Sequence, residues 1–192
     1  DCEVTEGCNF QLFPCPEKTL KGLQEAQYRL VTEIQKQTTG LALQGKDVLG
    51  AAKTGSGKTL AFLVQVLEAL YRLQRTSTDG LGVLIISPMR ELAYQTFEVL
   101  QKVGKTHGFS AGLIIGAKNL KHKAERINNI NILVCTPGQL PQHMDETVSF
   151  HATDLQMLVL DEVDRFLDMG KTVKWKTWDQ QVITERRPSG TL

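Results

Sequence analysis

The segment Ala52-Lys53-Thr54-Gly55-Ser56-Gly57-Lys58-Thr59 restricts this chain more than any other stretch of it. It follows the short apolar run Asp47-Val48-Leu49-Gly50-Ala51, read as a buried strand, and opens a helical pattern from Lys58 to about Leu73. A glycine turn between a strand and a helix is an anion cradle. Gly55 and Gly57 let the backbone turn N–H groups toward a phosphate, and the helix N-terminus adds about half a positive charge. Lys58 has the reach for β- and γ-phosphates, and Thr59 carries a hydroxyl suited to Mg²⁺. The general phosphate-loop pattern begins with Gly, and Ala52 stands there instead. An ordinary Gly-rich turn is the plain alternative; the intact Gly-Lys-Thr in its strand–loop–helix setting argues against it.

The rest of the middle zone alternates helical patterns with short apolar runs. Helical spacing recurs over 19–30 and 32–43, and again from about Glu91 to Val103. Val83–Ile86, Gly112–Ile115, Ile132–Cys135 and Leu158–Leu160 read as strands. Strands this apolar, without alternation, suit a parallel sheet with helices on both faces, and ligands of such sheets bind beyond the carboxyl ends of the strands. The expected fold class is therefore α/β. With 192 residues, 41% of them hydrophobic, the chain has enough apolar side chain for one core. Dominant disorder and a disulfide-stapled mini-protein are both excluded. The charge balance, 22 basic against 21 acidic, excludes a strongly basic tail but not a local basic patch.

Three zones differ in composition. Residues 1–17 hold four acids, three of the four cysteines and no Lys or Arg; 18–170 is the α/β zone; 171–192 is a divergent tail with Trp175, Trp178 and no apolar period. Cys2, Cys8, Cys15 and Cys135 include no C-x2-C pair, so reduced thiols in an intracellular protein are expected rather than zinc or a disulfide framework. His107, His122, His143 and His151 lie far apart and suggest no metal site. Neither a secretory signal nor a window of about 18 apolar residues occurs. The first residue is Asp rather than Met, which suits a fragment.

A phosphate loop needs a second carboxylate for its cation. Asp161-Glu162-Val163-Asp164 offers one at the end of an apolar run. Asp161 would hold Mg²⁺, through water, and Glu162 would orient or deprotonate an attacking water. Adjacent carboxylates repel unless a cation sits beside them. Taken alone, the cluster also suits the acidic first turn of a following helix.

The phosphate loop and the acidic strand end together resemble the DEAD-box RNA helicases, and further matches follow in order. Phe10 stands 25 residues before Gln35, the spacing of that family's adenine-binding Gln motif. Pro88-Met89-Arg90-Glu91-Leu92-Ala93 is similar to Pro-Thr-Arg-Glu-Leu-Ala, Gly116-Ala117 to a Gly-Gly step, and Thr136-Pro137-Gly138-Gln139 to Thr-Pro-Gly-Arg. The resemblance implies a RecA-like P-loop domain over 18–170, incomplete at the C-terminus, and ATP with Mg²⁺ as cofactors. It assigns Phe10, Gln35 and the loop Thr54, Gly55, Ser56, Gly57, Lys58 and Thr59 to ATP. It gives Thr59 and Asp161 to the metal, Lys58, Asp161 and Glu162 to catalysis, and Pro88, Arg90, Gly116, Thr136, Pro137 and Gly138 to RNA. An amide suits adenine because it donates and accepts at once. Arg90 has an equal alternative as the partner of a helix carboxylate. The wording of 18–170 looks closest to the nucleolar ribosome-biogenesis helicases. That implies a nuclear, nucleolar protein, a monomer, with RNA and pre-ribosomal proteins as partners and no membrane.

The departures cluster. Met89 replaces Thr, Ala117 Gly and Gln139 Arg, all on RNA segments by resemblance, and Val163 replaces the Ala of the acidic box. Gln27–Gln35 lacks the usual Gly and Pro of the Gln motif. Pro141, if inside a helix starting at Pro137, would cost about 3 kcal/mol. After Asp168-Met169-Gly170 neither a Ser-Ala-Thr segment nor a second RecA-like domain follows. The implied function is the ATP- and RNA-binding N-terminal half of an ATP-dependent RNA helicase, with weak ATP–Mg²⁺ binding, very slow hydrolysis and no unwinding by this chain alone. A catalytically silent binding fragment that retains only nucleotide binding is the alternative.

Overall fold

A computed structural model of the chain describes residues 10, 15–53, 55–76, 79–115, 130–137 and 155–168. Its sheet is built from the expected apolar runs: β1 (Val83–Ile86), β2 (Ala111–Ile114), β3 (Ile132–Cys135) and β4 (Met157–Leu160). The order is β2-β3-β1-β4 and every ladder is parallel. All eight residues of β1 and β3 are at most 1% exposed, so both faces of the central strands are covered. That double burial is why they read as unbroken apolar runs. Leu84, Ile86, Leu133, Cys135 and Ile114 share one face and form its core with Leu81 and Leu155.

The helices are α1 (Glu17–Glu25), α2 (Glu33–Leu43), α3 (Lys58–Arg72), α4 (Arg90–Val103), extended by a 3₁₀ turn (Gly104–Thr106), and α5 (Val163–Asp168). The chain divides into two compact units, Asp1–Thr76 with Gln95–Phe109, and Ser77–Tyr94 with Ser110–Leu192. The first holds α1 to α3 and most of α4; the second holds the sheet and α5.

In the first unit, α2 and α3 lie side by side, joined by a buried bond from Gln65 Nε2 to Thr38 Oγ1 (3.1 Å). Helix α1 meets the end of α4 at Gly22, where a methyl group would overlap the Val103 carbonyl oxygen. Three helices end alike. Tyr28 N–H donates to Leu23 O, Lys46 to Leu41 O and Arg75 to Leu70 O, each closing a Schellman turn around a left-handed residue. At α2 that residue is Gly45 (φ +77°); at α1 and α3 it is Gln27 (φ +64°) and Gln74 (φ +50°). A glutamine there gives no stop signal. Helix α1 therefore ends at Glu25 and not near residue 30, as the apolar spacing suggested.

Asp47–Ala51, expected as a buried strand, forms no strand. Leu49 is 93% exposed and Val48 37%. The run carries only two large apolar side chains before Gly50 and Ala51, too little surface to hold a strand by burial. The phosphate loop thus follows irregular backbone. Pro141, Trp175, Trp178, Cys2 and Cys8 lie outside the described residues.

Cys15 and Cys135 are free thiols. Burial, then the Glu68 carboxylate, pushes Cys15 up to about 12, and burial alone pushes Cys135 up to about 12. Both stay protonated and unreactive at neutral pH. Among the described residues no group of three His, Cys, Asp or Glu is placed to hold a metal.

His107 ties α1 to the region after α4. Its Nε2 lies 3.0 Å from Thr19 Oγ1, its ring stacks on Phe109 (5.2 Å between centroids), and the edge of Tyr71 meets it at 6.1 Å. Burial, then the nearby Lys18 charge, lowers its pKa from 6.5 to about 4. The folded state therefore favours the neutral ring. Its contribution is complete above the unfolded value of 6.5 and fades as pH falls toward about 4. Denaturant titrations at about pH 7 and about pH 4.5 should show a loss of about 1–2 kcal/mol from this group. His107→Gln should lessen that pH dependence; an unchanged slope would refute the assignment.

Candidate nucleotide site

The phosphate loop is shaped by its glycines. Gly55 sits at φ +80° and Gly57, the residue before α3, at φ +88°. Side chains rarely adopt that region, so the loop demands glycine at both positions. The N-cap of α3 is Gly57, which brings no side chain to the first-turn N–H groups, and these lack intrahelical acceptors. The loop closes on itself through Ser56 N–H to Lys53 O (3.2 Å), and the Ser56 hydroxyl is buried with no hydrogen-bond partner. Lys58 and Thr59 are half-buried at the start of α3.

Gln35 reaches this loop. It occupies the third position of α2 and is 2% exposed. Its Oε1 accepts the Thr32 N–H at 2.9 Å, and its Nε2 donates to the Gly57 carbonyl at 3.1 Å. One amide thereby ties the start of α2 to the start of α3. A Cβ on Gly57 would lie 2.6 Å from Gln35 Nε2 and 2.9 Å from Thr32 Oγ1. The Thr32 hydroxyl is buried at the start of α2, where Thr32 and Gln35 form a capping box. A primary amide has two donors and two lone pairs, so each end of Gln35 retains capacity for an adenine edge. Phe10 is 2% exposed, its N–H 3.3 Å from Arg29 O; stacking on a base would require its ring to be uncovered.

In the second unit, the acids close β4. Asp161 N–H donates to Ile86 O at 2.9 Å, which extends the ladder by one residue. Ser87 Oγ lies 3.4 Å from Asp161 Oδ2, a contact 74 residues apart in sequence. Glu162 holds φ +53°, uncommon for a non-glycine residue. Strain of that kind costs about 1–3 kcal/mol and concentrates at functional sites. Its Oε2 lies 3.7 Å from Arg165 Nε in the next helical turn.

The structure thus brings Thr32, Gln35 and Gly57 together in one unit, and Ser87 and Asp161 together in the other. Lys58 belongs to the first unit and Asp161 to the second. Of the RNA candidates, Pro88 and Thr136 are buried, Pro137 is half-buried and Arg90 is exposed. Arg90 enters no ion pair among the described residues. Thr54, Gly116 and Gly138 lie outside them. Nothing local in Ile86-Ser87-Pro88 marks a hydroxyl that the sheet sets beside an acid.

A family model described as DEAD/DEAH box helicase matches residues 32–189. The chain belongs to the DEAD/DEAH box helicase family. Curated DEAD/DEAH box relatives include the probable ATP-dependent RNA helicase DDX10 of Homo sapiens, 86% identical over 167 residues, 87% of this chain and 19% of that protein. The ATP-dependent RNA helicase DBP4 of Gibberella zeae is 61% identical over 84% of this chain and 20% of its own length. This chain spans about a fifth of these relatives. A solved DEAD box protein from Methanococcus jannaschii superposes with TM-score 0.79 at 25% identity, over 89% of this chain and 46% of that one. The RNA helicase Prp28 of Chaetomium thermophilum, solved with ADP, gives TM-score 0.74 at 31% identity, over 88% and 42%. The fold is therefore the RecA-like α/β domain of the family, with its parallel sheet and helices.

The family uses ATP with Mg²⁺, and the residues here fit that group. Left-handed Gly55 and Gly57, a helix start with glycine at its N-cap and the buried Ser56 hydroxyl, without a hydrogen-bond partner among the described residues, suit a polyphosphate. The Thr59 hydroxyl and the Asp161 carboxylate are hard oxygen donors of the kind Mg²⁺ selects.

Proposed function

We propose that this chain is the ATP–Mg²⁺-binding, RNA-contacting N-terminal half of an ATP-dependent RNA helicase. The observation that carries the reading is the Gln35 amide locked onto Gly57 at the start of α3, which joins a base-reading side chain to a phosphate cradle. Lys58 would hold the β- and γ-phosphates, and Thr59 and Asp161 the cation. When bound, that cation supplies charge neutralisation of the phosphates. Glu162 would position water, and Arg90 would face RNA phosphates. Pre-ribosomal RNA and proteins in the nucleolus are the partners to test first, with this chain as a monomer. Among the described residues no helix is long and apolar enough to cross a membrane.

Melting with ATP–Mg²⁺ tests the reading. At a hundredfold excess over Kd, stabilisation should be about 2.7 kcal/mol, or about 5–10 °C in Tm. No shift at millimolar nucleotide would refute it. Steady-state hydrolysis measured on these 192 residues should be very slow and indifferent to RNA. A second reading, a catalytically silent fragment, is favoured by Met89, 42% exposed where the family carries a hydroxyl. Nucleotide binding with no hydrolysis at all would favour it.

A further inference from the structure

We propose that Ser87 is a positioning residue that orients the Asp161 carboxylate toward its divalent cation. The proposal rests on the reading of Asp161 as a cation-holding group, and the experiment below separates the two. The register sets Ser87 and Asp161 side by side: Ile86 pairs with Leu160 across β1 and β4, and these two residues come next on each strand. Both backbones are pinned there. Ser87 N–H donates to Cys135 O of β3 at 3.0 Å, and Asp161 N–H to Ile86 O at 2.9 Å. These bonds fix the backbone, and the Ser87 hydroxyl is one of the groups that meets the Asp161 side chain. Ser87 is 0% exposed, so water does not reach its hydroxyl, and a buried hydroxyl needs an acceptor. Asp161 Oδ2 is 3.4 Å away. That is long for an O–H···O bond, and contacts of this kind often shorten once the ligand completes the site. A hydroxyl that holds one carboxylate oxygen directs the other. Groups placed behind a metal ligand in this way typically contribute about 10–100-fold to metal affinity. The long contact here sets the expectation at the lower end.

The test is Mg²⁺ titration of the complex between this 192-residue chain and a fluorescent ATP analogue, with parallel measurements in EDTA. Wild type, Ser87→Ala, Asp161→Asn and the double variant are compared, each with its Tm without nucleotide. Ser87→Ala should need about 5–10-fold more Mg²⁺ for half-maximal enhancement, with affinity in EDTA and Tm unchanged. Added to Asp161→Asn it should change nothing, since the hydroxyl acts only through that carboxylate. An unchanged Mg²⁺ midpoint, an equal loss in EDTA, or a further loss in the double variant would overturn the role of Ser87 alone. Wild type that binds the analogue without any dependence on Mg²⁺ would overturn the cation reading and this proposal with it.

Discussion

Lys58→Ala will weaken binding of a fluorescent ATP analogue by about 10–100-fold while leaving Tm without nucleotide within about 1 °C of wild type. The magnitude follows from a charge-assisted hydrogen bond to phosphate, about 1.5–3 kcal/mol. The small effect on stability follows from position. Lys58 is half-buried at the first residue of α3 and is not among that helix's buried residues. Alanine is also the best helix former. Fluorescence titration of the two chains decides the matter. Equal affinity would remove the phosphate assignment, and the helicase reading would then lack its chemistry.

Gly57→Ala will damage both fold and binding. Its φ of +88° costs a side chain about 1–2 kcal/mol. The new methyl would stand 2.6 Å from Gln35 Nε2 and 2.9 Å from Thr32 Oγ1. Gln35 must then move, which gives up its bonds to Gly57 O and Thr32 N–H, each contributing about 1 kcal/mol. The expected loss is about 2–4 kcal/mol, or about 5–15 °C in Tm. Combining Gly57→Ala with Gln35→Ala should cost less than the sum of the two, because both break the same bonds. Strict additivity, or a Tm within about 1 °C of wild type for Gly57→Ala, would show that the 2.6 Å approach does not constrain the loop.

The elements most legible in the sequence were those with the largest apolar signal. Val83–Ile86 and Ile132–Cys135 are strands over the same four residues that the runs indicated. Double burial leaves no polar residue in such a strand to blur its ends. The start of α3 was legible for a different reason, since a glycine turn followed by Lys-Thr marks a helix entry locally. Helix ends were less legible. Gln27 and Gln74 close α1 and α3 in left-handed geometry, held by backbone bonds to Leu23 and Leu70 and not by glycine. Asp47–Ala51 looked like a strand because it is apolar for its length, yet Val48 and Leu49 are exposed.

What the amino-acid order determined by itself was local: the anion-shaped turn at Gly55–Lys58, the apolar runs of the sheet and the acidic pair that ends the last of them. Each depends on neighbours within a few residues, where glycine's freedom or a run of branched side chains acts directly on the backbone. Tertiary structure alone decided the pairings between distant residues, Gln35 with Gly57 across 22 positions and Ser87 with Asp161 across 74. Those depend on parallel register and helix packing, which bring strand ends and helix starts into hydrogen-bond range only after the apolar faces have been buried.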